Sequence, residues 1–447
     1  MDREMSNETP AGEAKKKIFV VGADDYNLSL IEKIPGAQTW ELVRTLEWSD
    51  CQPPSGRIDF DELYERAKSI IDDQGGKPDA IIGYLDFPVT SLVSLLRRDY
   101  GMPGASPQAV ARVEHKYWAR LKQKEIFPEE TPEFRAINPF EPENSKRKAP
   151  DYPFWLKPVK GHSSVLGFMV EDDGDFDEAL HACRQKIHLI GEPFNAFLDH
   201  LEDTSEIDGI DGNFAVAEQL ISAPRQFTLE GYVWQGETRI YGAVESLREG
   251  KHESSFSRYQ YPADLPDDVI ARASDIAAKM MDAIGYDGSP FNVEFFHDPG
   301  SGALHLLEIN ARISKSHSPL FHMVDGAAHQ KVAIELSMGM EPDMPKGRGK
   351  DAVAGKFMLR SFEADGIVKR VPSADEIAEL KRILPDIDAN VLVQKDERLS
   401  DMFYQDSYSY ELADVFLGGH DEEMLEDAYN RVLDSLPIHI KPLPASS

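Results

Sequence analysis

Short apolar runs, which predict strands, alternate with amphipathic segments, which predict helices, along the N-terminal part of the chain. The strands are expected at residues 18–21, 40–46 and 79–84, and the helices at residues 26–32, 59–71 and 89–98. Because strands that alternate with helices form a helix-covered sheet, we predict a small doubly wound α/β domain at residues 1–105. Gly22 follows the first strand without the further glycines of a dinucleotide-binding turn, so this domain is not expected to bind a dinucleotide.

Helical spacing returns after Ser106-Pro107, a pair that favours a helix start because the hydroxyl caps free amides and proline fits the first turn. The apolar stripe of this helix is Val110, Val113, Tyr117 and Leu121. Lys116 lies off that stripe, where a lysine is most often a solvated surface charge.

Residues 286–319 form a predicted hairpin, which follows a long amphipathic helix at residues 267–285. The runs FNVEFF and ALHLLEIN are rich in branched and aromatic residues, and DPGSG between them favours a turn. Glu294 and Glu308 lie symmetrically about this turn, which brings them opposite each other or one diagonal apart. Because side chains alternate along a strand, Glu308 shares its face with Asn310 and Arg312.

Two opposed carboxylates repel each other, so this hairpin favours a cation between them. The hard oxygen donors of Glu294, Glu308 and Asn310 suit Mg²⁺ that is shared with a phosphate. The strand pattern alone fits a solvated polar face equally well, because half-exposed strands also alternate. The metal site is therefore one of two hypotheses that the hairpin allows.

A second group of polar residues follows the apolar strand that starts near residue 152. Lys157 lies near the end of this strand, and the loop KGHSSVLG follows. The loop contributes Lys160, Gly161, Ser163 and Ser164. Backbone amides, hydroxyls and ammonium groups suit phosphate oxygens, so the loop is a candidate phosphate contact. It lacks the spacing of a Walker loop, and a glycine–serine turn between strands is more often only a turn.

The motif of Glu294 followed by LEINAR at residues 307–312 resembles the metal-binding end of the ATP-grasp superfamily. Its relatives include biotin carboxylase, D-alanine:D-alanine ligase and the L-amino-acid ligases. Lys116, Lys157 with its loop, and the hinge at Glu218 resemble further family parts in the family's order. The resemblance covers residues 17–440, with specific motifs only in the middle of the chain.

The resemblance implies how the nucleotide is held. The residues that would contact its phosphates are Lys116, Lys157, Lys160, Gly161, Ser163 and Ser164. Glu218, Gln219 and Leu220 would line the adenine, largely through main-chain groups. Gln226 replaces the glutamate that holds the ribose in the family, and an amide bonds a hydroxyl less strongly than a carboxylate does.

The resemblance also implies the cofactors and the reaction. Glu294, Glu308 and Asn310 would hold two Mg²⁺ ions, with Mn²⁺ as an alternative, and ATP would be the phosphoryl donor. Arg312, Glu308 and Lys157 would act in catalysis. The implied reaction is that of an ADP-forming ligase, which joins a small-molecule carboxylate to an amine through an acyl phosphate. Rival hypotheses are a biotin carboxylase-like enzyme and a non-catalytic ATP-binding regulatory subunit, for which paired carboxylates serve no purpose.

Two residues beyond these motifs are candidate substrate contacts. Residues 248–261 are predicted to form a polar loop, in which Arg258 is one of several charges that are often merely solvated. His317 follows the metal arginine where substrate-side residues of the family lie, although a structural turn explains it as well. The acidic stretch at residues 199–213 lacks core residues and the EF-hand order of ligands, so a solvated insertion is expected.

The composition, 447 residues with 28% charged and 41% hydrophobic, is that of a multidomain globular protein. The net charge of −31 disfavours nucleic acid and anionic membranes as partners, and it leaves a homodimer open. No signal peptide or apolar run of about 18 residues occurs, so a cytoplasmic location is expected. Cys51 and Cys183 lack metal-ligand spacing and are expected to be packing residues.

The expected fold class is therefore α/β, as an α+β ATP-grasp fold. It comprises the N-terminal domain, an ATP-grasp domain at residues 106–345 with a lid at about 152–222, and a small α+β lobe at residues 346–447.

Overall fold

The computed structural model describes residues 14–161, 165–221, 223–253, 255–363, 365–385, 387–402 and 405–443. Ser163 and Ser164, which the sequence predicts to contact phosphate, lie outside these ranges. Within the ranges, no helix has the length and apolar character needed to cross a bilayer.

A three-stranded parallel sheet in the order β2-β1-β3 forms the N-terminal part, and it confirms the predicted alternation of strands and helices. Its elements are β1 (Lys16–Ala23), α1 (Asp25–Glu32), β2 (Trp40–Glu47), α2 (Trp48–Cys51), α3 (Phe60–Asp73), β3 (Ala80–Ile82) and α4 (Val89–Asp99). The strand β1 is central because its apolar residues are buried from Ile18 onward. Cys51 is buried beside this sheet as a free thiol.

The single helix predicted after Ser106 is broken into α5 (Pro107–Glu114) and α6 (Lys116–Ile126). His115 leaves the helical conformation with φ −86° and ψ 97°, and its Nδ1 accepts a hydrogen bond from the backbone N–H of Trp118 at 3.2 Å. The predicted apolar stripe is correct before the break, where Val110 and Val113 are buried. After the break it is wrong, because Trp118 is fully buried whereas Tyr117 is only half-buried. The break places Lys116 at the first position of α6.

A four-stranded antiparallel sheet in the order β4-β7-β5-β6 forms the part of the chain that the sequence predicts to be the lid, and this part is called the lid below. Its elements are β4 (Phe134–Ile137), α7 (Pro142–Lys148), β5 (Phe154–Pro158), β6 (Phe168–Val170), α8 (Asp173–Lys186), α9 (His188–Leu198) and β7 (Ala215–Gln219). The strand β4 precedes the lid start expected from the sequence, and it pairs with β7. The proline-rich segment between β4 and β5 contains a helix.

The acidic stretch 199–213 is not merely a solvated insertion. Ile207 is buried within a short 3-10 helix. Glu206 accepts hydrogen bonds from Arg112 at 2.8 Å and from the indole of Trp118 at 3.1 Å, and it forms an ion pair with Lys122 at 2.5 Å. The prediction was wrong here because these partners lie on α5 and α6, about ninety positions away in the chain.

An eight-stranded sheet in the order β12-β11-β8-β9-β10-β13-β16-β15 forms the centre of the molecule. Its strands are β8 (Arg225–Trp234), β9 (Glu237–Glu249), β10 (Ser255–Tyr261), β11 (Pro290–His297), β12 (Leu304–Asn310), β13 (Val353–Ser361), β15 (Asp388–Val391) and β16 (Tyr410–Gly419). The helix α10 (Asp267–Ile284) ends at Gly285 with φ 74°, as predicted. The predicted polar loop at 248–261 was wrong, because β9 and β10 pair through most of it.

The remaining elements complete the C-terminal part: α11 (Ser318–Asp325), α12 (Gln330–Ser337), β14 (Gly366–Arg370), α13 (Ala374–Ile383), α14 (Glu422–Ser435) and β17 (His439–Pro442). The expected C-terminal lobe does not have a separate main sheet, because β13 pairs with β10 and carries β16 and β15 onto the central sheet. The α+β fold class is confirmed, while the domain boundaries remain a proposal.

Candidate functional site

The hairpin β11–β12 pairs Glu294 directly opposite Glu308, so the first of the two predicted placements is correct. Asn310 lies opposite Asn292, and its Nδ2 donates to Asn292 Oδ1 at 2.9 Å. With Nδ2 held in this way, the carbonyl oxygen of Asn310 is the end of the amide that can face a cation. Three oxygen-bearing side chains therefore share one patch of the sheet.

The two carboxylates have opposite pKa shifts. Burial, followed by the negative charge of Glu308, raises the pKa of Glu294. Burial acts in the same direction on Glu308, but Lys116 and Lys157 outweigh it and lower the pKa of that carboxyl. The repulsion thus falls on Glu294, and a shared divalent cation would relieve it.

Two carboxylates and an amide are a fitting donor set for Mg²⁺. In the part of the chain that the structure describes, no group of three or more His, Cys, Asp or Glu side chains is arranged for a metal. The amide of Asn310 is therefore the candidate for a third protein ligand at this site.

The face of the hairpin that carries Glu294, Glu308 and Asn310 is called the metal face below. Lys116 connects it to the lid. Its Nζ donates to Glu308 Oε1 at 2.7 Å and to the carbonyl oxygen of Gly161 at 2.9 Å. Its own backbone N–H donates to the carbonyl of Val159 at 2.8 Å, which fixes the start of α6 against the lid. The interpretation of Lys116 as a solvated surface charge is thereby excluded.

Lys157 and Glu218 lie on neighbouring lid strands and form an ion pair at 2.9 Å. Arg120 donates to the other oxygen of Glu218, also at 2.9 Å. Although burial opposes it, the charges of Arg120 and Lys157 lower the pKa of Glu218 to about 2. Glu218 therefore acts through its side chain as a buried counter-ion, in addition to any main-chain contact that the hinge makes.

Lys160 is 3% exposed and lies behind the site instead of projecting into it. Its Nζ donates to Asp86 Oδ1 at 2.7 Å and also bonds Glu114. Asp86 Oδ2 accepts from Nη2 of Arg312 at 2.6 Å. The structure thus connects Lys160 and Arg312 through Asp86, a residue that sequence reasoning missed because its only signal is its position after β3.

Gln226 is also buried, and it contacts a metal-face carboxylate. Its Nε2 donates to Glu294 Oε2 at 2.9 Å, and its Oε1 accepts from Nε of Arg248. Arg248 was not singled out in the sequence, because its stretch was predicted to be a loop. The placement of Gln226 favours a role in orienting Glu294 over the ribose contact implied by the resemblance.

Two cavities meet at this metal face. One has a volume of about 260 Å³, and its lining includes Lys116, Lys157, Gly161, Glu218, Gln219, Leu220, Arg248 and Glu308. The other, of about 660 Å³, extends toward the C-terminal strands. Glu294, Asn310, Arg312 and Asp86 line both cavities. A molecule in either cavity therefore meets the same four polar side chains.

The two candidate substrate residues have different surroundings. Arg258 donates to Glu422 at 2.6 Å and to Glu426 at 3.3 Å, so it is held against α14 and lines neither cavity. His317 lines the larger cavity, and its Nδ1 lies 2.7 Å from Oε1 of the fully buried Glu230. The geometry therefore retains His317 as a candidate and leaves Arg258 with a structural contact.

The far wall of the larger cavity contains charged residues that sequence reasoning missed. Lys356 lies 2.7 Å from Asp414 and 3.4 Å from Glu411. Arg360 pairs with Glu411 at 3.3 Å and with Asp406 at 2.9 Å. Burial and the negative charge of the neighbouring Glu411 raise the pKa of Asp414 to about 8, although the positive charge of Lys356 acts to lower it. A dense network of opposite charges thus faces the metal side across the cavity.

The chain is similar in sequence to known protein families over part of its length. Residues 150–319 match the family model of the ATP-grasp domain. D-alanine–D-alanine ligase of Arthrobacter sp. (strain FB24) is 29% identical over 191 residues, which are 41% of this chain and 45% of that protein. The carbamoyl phosphate synthase large chain of Thermotoga maritima is 35% identical over 115 residues, 25% of this chain and 10% of that protein. The matched region thus spans less than half of these relatives.

Solved structures match over much more of the chain. The L-amino acid ligase from Bacillus licheniformis has a TM-score of 0.67 at 14% identity, covering 97% of this chain and 100% of that one. A biotin carboxylase complex from Campylobacter jejuni has a TM-score of 0.62 at 16% identity, covering 96% and 92% respectively. These likenesses show a common fold. The chain has the α+β ATP-grasp fold, and its residues 150–319 are similar to the ATP-grasp domain.

Proposed function

We propose that this protein is an ATP-dependent ligase that joins a carboxylate to an amine and releases ADP and phosphate. The observation that carries the proposal is the in-register pair of Glu294 and Glu308, with Asn310 beside it, at the junction of the two cavities. A binding-only protein has no use for two repelling carboxylates at this junction.

The smaller cavity suits ATP. Lys116 and Lys157 both line it and are close enough to the metal face to neutralise phosphate charge, while the hinge residues Glu218, Gln219 and Leu220 form the wall available to adenine. When bound by Glu294, Glu308 and Asn310, Mg²⁺ supplies charge neutralisation for the terminal phosphates of the nucleotide.

The larger cavity suits the carboxylate and the amine. Arg312 lines both cavities, and Asp86 raises the pKa of its guanidinium over the opposing effect of burial, so it is cationic at every accessible pH. It is placed to stabilise the phosphoryl group during transfer to the substrate carboxylate. Attack of the amine on the acyl phosphate then forms the amide and releases phosphate.

A phosphate-release screen over amino acids and small carboxylic acids, each with and without an amine, tests this function. We expect ADP to form only when both substrates are present, and hydroxylamine to trap the acyl phosphate as a hydroxamate. AMP as the stoichiometric product would overturn the mechanism. ADP formation that requires bicarbonate and biotin would favour the carboxylase alternative, and no turnover with any pair would favour a regulatory subunit.

A further inference from the structure

A carboxylate–amine ligase at neutral pH needs a base, because an aliphatic amine is then an ammonium ion and has no free electron pair. Glu230 and His317 are outside the set of nucleotide and metal residues, yet they form a buried pair at the edge of the larger cavity. Their arrangement is unusual for structural residues, since Glu230 is 0% exposed and no lysine or arginine among the described residues lies within hydrogen-bond distance of it.

We propose that His317 takes the proton from the ammonium group of the second substrate and passes a proton on to Glu230. The proposal rests on the ligase function proposed above. In it, His317 is the catalytic residue that touches substrate, and Glu230 is the positioning residue that acts through it.

The hydrogen bonds of Glu230 define the direction of transfer. Its Oε1 accepts from the backbone N–H of Ser314 at 3.3 Å and lies 2.7 Å from His317 Nδ1. When Glu230 is ionised, Nδ1 has to carry the hydrogen of that contact, because a carboxylate can only accept. The lone pair of His317 is then on Nε2, the ring nitrogen that Glu230 does not hold.

The neighbours of the pair keep the imidazole neutral. Burial, followed by the positive charges of Arg312 and Lys356, lowers the pKa of His317 to about 3. The ring of Tyr259 packs edge-on against the imidazole at 5.0 Å between centroids. An isolated imidazole in this position would be a poor base, so a proton that it accepts has to move on.

Glu230 is suited to receive that proton. Burial raises its pKa to about 7, even though His329, Ser314, Arg312 and Tyr241 act to lower it. Its Oε2 lies 3.5 Å from the hydroxyl of Tyr241 and 3.7 Å from His329 Nδ1. A proton acceptor with a pKa near the working pH is the most efficient one for general base catalysis.

The step is balanced in protons and electrons. The ammonium N–H bond breaks, its proton goes to His317 Nε2, and the hydrogen on Nδ1 goes to Glu230 Oε1. The freed electron pair of the amine forms the C–N bond at the acyl phosphate. The C–O bond of the acyl phosphate breaks, and its electron pair leaves with phosphate. The phosphate also takes the second proton that the amine nitrogen loses.

Hydroxylamine separates this step from phosphoryl transfer, because it is already neutral at pH 7 and needs no base. The experiment compares hydroxamate formation with amide formation in wild type, H317Q and E230Q, using Mg-ATP and the most active carboxylate and aliphatic amine of the screen. H322Q, on the same segment but outside the cavity lining, is the matched control.

At pH 7 we expect H317Q and E230Q to lose amide formation by about 100-fold or more and to keep hydroxamate formation within a few-fold of wild type. Their amide rates should recover as alkaline pH supplies the free amine. The wild-type amide rate should fall below a pKa of about 7, as Glu230 becomes protonated, whereas hydroxamate formation should fall only at the lower pKa of hydroxylamine itself.

Equal loss of both activities in the variants, or no loss of amide formation, would overturn the base assignment while leaving the ligase function standing. Absence of hydroxamate with wild type would instead overturn the ligase function and the base with it. If a variant fails to fold, the wild-type comparison decides: amide and hydroxamate rates with the same pH dependence would refute the proposal.

Discussion

Arg312 donates two hydrogen bonds to one oxygen of Asp86, from Nη2 at 2.6 Å and from Nε at 3.2 Å, although the two residues are 226 positions apart. The contact joins the segment after β3 of the N-terminal sheet to the end of the metal hairpin. It thereby aims the guanidinium where the two cavities meet.

Replacing Asp86 by asparagine should destabilise the protein and reduce turnover. The variant leaves Lys160 and Arg312, which are 3% and 18% exposed, without their shared carboxylate. Loss of one partner of a buried ion pair costs about 3–5 kcal/mol. Urea unfolding of D86N measures this cost, and D275N, which removes an exposed pair with Lys279, should change the free energy of unfolding by less than about 1 kcal/mol. Equal midpoints for D86N and wild type would contradict the role of Asp86.

Replacing Glu294 by glutamine should lower turnover by about 100-fold or more without loss of stability. A carboxyl whose pKa is raised on folding disfavours the folded state at neutral pH, so its removal relieves the repulsion with Glu308. E308Q should lose turnover equally but be less stable than E294Q, because it breaks the contact with Lys116. ADP release and thermal unfolding measure both effects. Near-native turnover in either variant would remove the metal assignment.

Glu218 should account for part of the acid sensitivity of the fold. Its pKa falls from 4.5 to about 2 on folding, so its contribution is complete above pH 4.5 and is lost as the pH falls toward 2. At 1.36 kcal/mol per pKa unit this contribution is on the order of 3 kcal/mol. The free energy of unfolding of E218Q should therefore be lower at pH 7 and depend less on pH between 4.5 and 2. The exposed control E129Q should keep the slope of wild type, and a wild-type slope in E218Q would refute the prediction.

Replacing Arg258 by methionine should affect stability and leave substrate binding unchanged. Its partners Glu422 and Glu426 are more than half exposed, and its guanidinium lies 5.6 Å from the ring centroid of Phe357. Exposed pairs and such ring contacts contribute about 1 kcal/mol each. Unfolding in urea and the KM of each substrate measure the two effects. A tenfold higher KM at unchanged stability would instead restore the substrate contact considered from the sequence.

The local features of the site were accessible from the sequence because they depend on short spacings. Side-chain alternation and the symmetric turn at DPGSG brought Glu294 opposite Glu308 or one diagonal away, and the structure shows the first of these placements. The long helix before the hairpin, with glycine at its end, was predicted for the same reason. A period and a turn signal are properties of neighbouring residues, so no tertiary information is needed to recognise them.

The partners of the site residues were not accessible in this way. Lys160 was predicted to face phosphate from the composition of its loop, yet it is buried between Asp86 and Glu114. Glu218 was assigned by motif to the adenine wall, and its side chain neutralises Lys157 and Arg120. A lysine or glutamate has the same local pattern whether it meets a ligand or a distant counter-charge.

The sequence by itself determined most of the strands and helices around the site, a hairpin that brings the two carboxylates opposite each other or one diagonal apart, and the order of the motifs along the chain. Only the tertiary structure decided which charges neutralise each other, that the C-terminal strands extend the central sheet, and that Glu230 is buried against His317. The reason is physical: periodicity and turn chemistry act between neighbours in the chain, whereas burial and charge pairing depend on residues that meet only when the chain has folded.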